Sequence, residues 1–292
     1  MKYIECSGVT FRDEETGPII DISNDFASAS ISLYGGQVLL WKPHQQLHPV
    51  LWLSPKVEFK VGKPIRGGVP ICWPWFGSHP SVKEMQSHGY ARLSNWKVKN
   101  ISSLANGDTE IILEIENTEQ LNFGDYKKFS LNLKIVVGNK LKIELITLNV
   151  SNEEVNFSEG LHTYFHVGNI ANISVAGLMG QNYHDLMDGR IKNDQSSAIR
   201  FNGEIGRVYV NTESSCLIDD NELSRKIIIE KMGSSSTAIW NPWEKNASRI
   251  LDLGSNGWMN MVCVESANAY ENCIKLPARQ EHKLSVCYSV AI

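Results

Sequence analysis

Hydrophobic residues in this chain recur at every second position rather than every third or fourth, and that period restricts the fold more than any other feature. Phe129, Leu131, Leu133, Ile135 and Val137 alternate with Ser130, Asn132, Lys134 and Val136. Side chains of an extended strand point alternately to its two faces, so the pattern predicts a strand with one face buried. After Gly138-Asn139 the alternation resumes, with Leu141, Ile143 and Leu145 set against Lys142 and Glu144. This predicts a hairpin closed by a two-residue Gly-Asn turn. Ala29/Ile31/Leu33, Ile111/Leu113/Ile115 and Leu284/Val286/Tyr288/Val290 repeat the pattern, from the first quarter of the chain to its last residues. Lys226-Ile227-Ile228-Ile229-Glu230 is β-branched and predicts a strand buried on both faces. No long amphipathic helical stripe, no Pro- or Ser-rich linker and no repeat of fixed period interrupts these strands. The expected fold is all-β, a large antiparallel β-sandwich over residues 1–292, although two smaller sandwiches would give the same local pattern.

Charge and composition remove whole classes of function. Lys and Arg number 28 against 32 Asp and Glu, a net of 28 − 32 = −4. Bulk attraction to a polyanion is excluded, nucleic acid is not an expected partner, and any phosphate contact has to come from a local site. No run approaches the roughly 18 apolar residues of a membrane helix. Met1-Lys2-Tyr3-Ile4-Glu5-Cys6 carries no apolar leader, so the expected location is the cytoplasm. Cys6, Cys72, Cys216, Cys263, Cys273 and Cys287 include no C-x-x-C pair and are expected to be reduced, as small hydrophobic residues.

Four stretches do not look like strand filler. In Arg66-Gly67-Gly68-Val69-Pro70-Ile71-Cys72-Trp73-Pro74-Trp75-Phe76-Gly77, paired glycines allow close backbone approach and Arg66 offers a fork for a carboxylate or phosphate. Trp73 and Trp75 suit either a sugar face or the core, with core the preferred reading. In Ser87-His88-Gly89-Tyr90-Ala91-Arg92, a His and an Arg flank a Gly in an expected loop, which suits polar ligand contacts. Glu159-Gly160-Leu161-His162-Thr163-Tyr164-Phe165-His166-Val167 contains His-x-x-x-His. The β-branched and aromatic residues favour a strand, where the two histidines stand about 13 Å apart at roughly 3.3 Å per residue. One zinc ion holds each ligand at about 2 Å, so the pair is not a metal site, and His162 or His166 remains as a lone acid or base. Finally, Glu265 ends the apolar run Met261-Val262-Cys263-Val264. A carboxylate there has to be hydrogen-bonded or raised in pKa, and both conditions suit a general base. No P-loop, dinucleotide fingerprint, serine elbow or EF-hand loop is present.

Taken in order, RGGVPICWPWFG, HGYAR, EGLHTYFHVGNI, AIWNPW and MVCVESAN resemble the aldose 1-epimerase superfamily, and within it the glucose-6-phosphate 1-epimerases, from about Ile22 to the C-terminus. The resemblance implies a galactose mutarotase-like β-supersandwich and an isomerase that opens and recloses a hexose 6-phosphate ring. It implies His162 as the acid on the ring oxygen and Glu265 as the base on the anomeric hydroxyl. Arg66 and Arg92 match arginines that contact the sugar or its phosphate, Asp185 matches an aspartate on a sugar hydroxyl, and His88 and Ser87 fall in the substrate-binding loop. Ser87 stands where some relatives carry Gln, and Gly206 stands where an Asp often precedes the Arg207-Val208-Tyr209 triplet. The implied molecule is a monomer that needs no metal and no cofactor, with a small sugar phosphate as its partner. Two other readings compete: a non-catalytic sugar-binding protein on the same fold, and a glycoside-cleaving enzyme, which would need a second carboxylate.

Overall fold

The computed structural model describes residues 6–115 and 129–291; the leader reading of Met1–Glu5 lies outside them. Two large sheets dominate. One has nine strands, in the order Ile199–Arg200, Ile173–Ala176, Cys216–Asp220, Arg225–Met232, Glu281–Ala291, Leu141–Asn149, Phe129–Val137, Thr109–Ile115 and Trp96–Ser103. The other has eight, running Ile191–Lys192, Tyr183–Asp185, Ile205–Tyr209, Ser236–Asn241, Met261–Asn268, Glu159–Leu161 and Ile71–Cys72, with Tyr164–His166 also paired to Met261–Asn268. A four-stranded meander, from Val9–Glu14 to Gln37–Pro43, and a two-stranded ribbon complete the strands among the described residues.

Alternation explains how the sheets stack. Register aligns Leu113, Leu133, Leu145 and Leu284 in one row across four strands of the nine-stranded sheet, and all four are buried. Ile239 and Val264 of the other sheet belong to the same hydrophobic cluster. Each such fully buried side chain contributes about 1.5–3 kcal/mol relative to exposure. A hydrogen bond between the Thr163 and Tyr288 hydroxyls, 2.6 Å long, crosses between the sheets. On the outer face of the nine-stranded sheet, polar residues pair instead, as Lys134 does with Glu110.

Two local expectations need correction. The hairpin turn has three residues, because Val137 pairs with Leu141 and Gly138 N–H donates to Lys140 O. Trp41 Nε1–H holds that turn by donating to Gly138 O. The run 226–230 is buried on one face only: Ile227 and Ile229 enter the core, while Ile228 is partly exposed. A sheet covered on one side cannot bury both faces of its strands. Trp73 and Trp75 are both buried, as the core reading requires. The six cysteines are free. Among the described residues, no helix is long and apolar enough to cross a membrane.

Candidate active site

The site lies on the face of the eight-stranded sheet turned away from the core. Register sets Glu265 opposite Ala238, Ala238 opposite Val208 and Val208 opposite His184, so these four share a face. Two residues back on its strand, Cys263 is opposite Trp240 and Tyr164 and shares that face. Continuing the Tyr164–Cys263 ladder by two residues brings His162 opposite Glu265; Val264 N–H donates to Thr163 O between them. His162, Tyr164, Cys263 and Glu265 therefore form a square, while Thr163 and Val264 point back into the core. His162, Tyr164 and Glu265 line a cleft of about 950 Å³, within the ordinary ligand-pocket range of ~300–1,000 Å³, and Cys263 lies beneath it. Among the described residues, Glu265 is the one acidic residue lining it.

His162 and Glu265 are 8% and 2% exposed. His162 Nδ1 lies 3.5 Å from Glu265 Oε1, a contact short of a hydrogen bond, so Nδ1 and the second carboxylate oxygen have no hydrogen-bond partner. Burial pushes the Glu265 carboxyl well above the usual carboxylate range, against the pull of Arg92. Burial, then the neighbouring His88, Arg92 and Arg66, push the His162 imidazole well below its usual range. The dry floor therefore favours a pair that shares one proton and carries no net charge. Tyr164 stacks on the imidazole at 4.9 Å and 10°, and the Trp240 edge closes another side. These contacts fix the ring plane that proton transfer requires.

Two tight loops deliver the other polar groups. Gly68 and Gly89 have positive φ, and a Cβ at either would stand 2.1 Å from Val38 O or 2.0 Å from Trp73 O. Only glycine lets the backbone pass so close. Arg66, beside the first loop, donates through Nε to both Asp252 oxygens at 3.2 Å and through Nη1 to Tyr164 Oη at 3.1 Å, leaving Nη2 for a ligand. The Tyr164 oxygen, and then Asp252, hold its guanidinium charged despite burial. The carboxylate that its fork meets thus belongs to the protein itself. Arg92, after the second loop, donates through Nη2 to Ser87 O at 2.7 Å and keeps a buried Nε without a partner. His88 lines the cleft 5.3 Å from the His162 ring, and its Nδ1 accepts from Gly77 N–H. Burial, aided by Arg92 and Arg66, lowers its pKa to about 3. It is a neutral donor at neutral pH, with its proton on Nε2.

Two expected ligands do not join this group. Asp185 sits opposite Arg207, which pairs with Ile239, one residue out of step with the Glu265–Ala238–Val208 row; Arg207 itself reaches the cleft lining. One Asp185 oxygen accepts from Met187 N–H and the other from Lys192 Nζ at 2.6 Å, and the residue does not line the cleft. Its carboxylate braces the turn after its strand. Ser87 is exposed and outside the lining, and it serves through its carbonyl, which holds Arg92. His166 is apart from the site, against His48 and Arg225. Tyr164, Asp252 and Cys263 were not singled out by sequence reading. The alternation in His162-Thr163-Tyr164 and Cys263-Val264-Glu265 was the available signal for the first and third; nothing local marks Asp252. His162, Cys263 and Glu265 bring one donor atom each to within 4.8 Å of the others.

Comparisons with known proteins place the chain in a family. The aldose 1-epimerase family model matches residues 18–289. A protein of Escherichia coli (strain K12) named "putative glucose-6-phosphate 1-epimerase" is 34% identical over 255 residues, 87% of this chain and 84% of its own length. One of Cenchrus ciliaris with the same name is 32% identical over 272 residues, 89% of this chain and 80% of its own. The crystal structure of a "putative mutarotase" from Salmonella typhimurium superposes with a TM-score of 0.89 at 30% identity, covering 97% of this chain and 93% of that one.

Proposed function

The chain belongs to the aldose 1-epimerase family, and from that premise we propose that it interconverts the α and β anomers of a hexose 6-phosphate, glucose 6-phosphate first among them. The observation that carries this reading is the buried His162–Glu265 pair on the floor of a cleft bordered by Arg66 and Arg92. The relatives' names supply the sugar; the cleft supplies the means.

Ring opening removes the proton on O1, places a proton on the ring oxygen and breaks the bond between C1 and that oxygen. Rotation about C1–C2 and the reverse transfers close the other anomer. The pair needs one proton in total, the state that burial favours. Burial favours that proton on Glu265, and the 3.5 Å contact to His162 Nδ1 is its route to the imidazole. The resulting imidazolium donates from Nε2 to the ring oxygen while the Glu265 carboxylate accepts from O1. His88 donates its Nε2–H to a sugar oxygen. Arg92 and the free Nη2 of Arg66 take the phosphate, which carries about −1.5 to −2 charges at neutral pH. Asp185 and the Ser87 side chain are outside the proposed contacts. Every group named lies on one chain, so a monomer suffices, and the chemistry asks for no metal or cofactor.

Neither alternative matches the site as well. A purely sugar-binding protein has no use for a partnerless acid and base buried together. Glycoside cleavage needs two carboxylates at roughly 5–10 Å, and Glu265 is alone in the cleft lining among the described residues. The test is the optical rotation of freshly dissolved α-glucose 6-phosphate, followed beside a chromogenic glycoside. Relaxation faster than the spontaneous rate, in proportion to protein and with the glycoside intact, is the expected result. Relaxation at the spontaneous rate would overturn the proposal.

A further inference from the structure

The square beneath the cleft has a corner that the proton transfers leave unused. Cys263 stands two residues from Glu265 on the same face of the same strand, and directly across the ladder from Tyr164. Its sulfur, one His162 nitrogen and one Glu265 oxygen lie within 4.8 Å of one another, and all three residues are buried. His162 Nδ1 and Glu265 Oε2 have no hydrogen-bond partner. An imidazole nitrogen, a thiolate and a carboxylate oxygen are the donor set of three-ligand zinc sites, and His162 and Glu265 line the cleft from which a fourth ligand would come.

We propose that His162, Cys263 and Glu265 form a site for a soft divalent cation, zinc or cadmium, whose occupancy blocks the catalytic pair. Bond lengths of roughly 2.0–2.3 Å in a tetrahedron set donor atoms about 3.4–3.8 Å apart. The 3.5 Å between His162 Nδ1 and Glu265 Oε1 already meets that spacing. Only the sides to Cys263 need to shorten, from at most 4.8 Å to about 3.5 Å, the edge between a sulfur and a nitrogen or oxygen ligand. Charge balances as well. A dication replaces the thiol proton and the single proton of the pair; two protons leave, and one thiolate plus one carboxylate neutralise the metal. Thiolate and imidazole select zinc or cadmium over magnesium and calcium, which prefer oxygen ligands. A bound ion takes the atoms that exchange the proton, so the expected effect is inhibition.

Occupancy stands on geometry alone, whereas inhibition rests on the acid–base roles proposed above, and the experiment separates the two. Metal-free protein is titrated with cadmium while the thiolate-to-cadmium absorption in the ultraviolet is followed, and zinc inhibition is measured by polarimetry. The same is done with Cys263→Ser and Cys263→Ala, which remove the sulfur but none of the proton carriers. Expected are a band that saturates at one equivalent, its loss in both variants, and at least a tenfold rise in the zinc concentration that halves turnover. No saturable band, or a band that survives in both variants, would overturn the site. A band lost in the variants, with turnover of the loaded protein unchanged, would overturn the inhibitory half and with it the roles given to His162 and Glu265.

Discussion

At the scale of single residues, the account depends on two groups with opposed needs. His162→Ala and Glu265→Gln should each lower kcat by at least about 10²-fold, because each removes one proton carrier. Circular dichroism should stay that of the parent, and near-parental turnover in either variant would remove that residue from the reaction. Burial lowers the pKa of His162 and raises that of Glu265. As pH falls, the pair takes its second proton only below the ordinary imidazole range; as pH rises, it loses its last proton only above the ordinary carboxylate range. The kcat–pH profile should therefore be a plateau with an acid limb below the ordinary imidazole range and a basic limb above the ordinary carboxylate range. A single step near pH ~6.5, the unperturbed imidazole value, would contradict the pairing. kcat is the quantity to follow, since the substrate phosphate itself titrates near pH ~6 and acts on binding. Glu265 was legible as a carboxylate at the end of an apolar run, whereas alternation left His162 and His166 on one face and only the family resemblance chose between them. Asp185 and Ser87 do not line the cleft, and sequence could not show this for a physical reason. Composition names an oxygen but not its partner, and those of Asp185 are engaged by Lys192 and Met187.

Among elements, the loops matter more than the strands, since the strands supply a floor and the loops bring charge to it. Gly89→Ala would set a methyl 2.0 Å from Trp73 O at φ +69°, displacing His88 and Arg92 together. The left-handed backbone costs roughly 1–2 kcal/mol before any clash. A folded protein with a lower Tm and kcat/KM reduced at least tenfold is expected, and unchanged kcat/KM would show that the loop does not position these side chains. Asp252→Asn should act more gently, by loosening the Arg66 guanidinium: KM for the phosphorylated sugar rises and kcat holds. A fall in kcat with KM unchanged would speak against that positioning role. The strands could be read because period two is written into adjacent residues. The three-residue turn and the Arg66–Asp252 pair, 186 residues apart in sequence, depend on where distant chain arrives.

In the molecule as a whole, the two sheets are tied by more than oil. His282, on a strand of the nine-stranded sheet, bonds through Nε2 to the fully buried Glu159 of the other at 2.8 Å, and Asn268 donates to the same oxygen. Burial opposes charge on His282, but the Glu159 carboxylate outweighs it and raises the imidazole pKa above its ordinary value. A raised folded-state pKa means the clamp is at full strength below about pH 6.5 and is lost as pH rises through the raised value. Tm should therefore decline over that window, and Glu159→Gln should flatten the decline; an unaltered slope would remove the clamp from the account. Net charge also belongs to this scale. A chain of net −4 has no general attraction for a sugar phosphate, so selectivity has to be local. Losing one charge-assisted pair costs about 1.5–3 kcal/mol, or roughly 10- to 150-fold in affinity. Arg92→Ala, and more weakly Arg66→Ala, should raise KM for glucose 6-phosphate by that order and leave glucose nearly untouched. Equal losses on both sugars would reassign the arginines to the ring. The most direct test of the central claim is the polarimetric kcat/KM of the parent protein and Glu265→Gln on α-glucose 6-phosphate and α-glucose. The account predicts that the parent accelerates the phosphorylated sugar well above its spontaneous rate and at least tenfold over glucose, and that Glu265→Gln loses at least about 10²-fold. A parent that leaves α-glucose 6-phosphate at its spontaneous rate, or a Glu265→Gln variant that matches the parent, would contradict it.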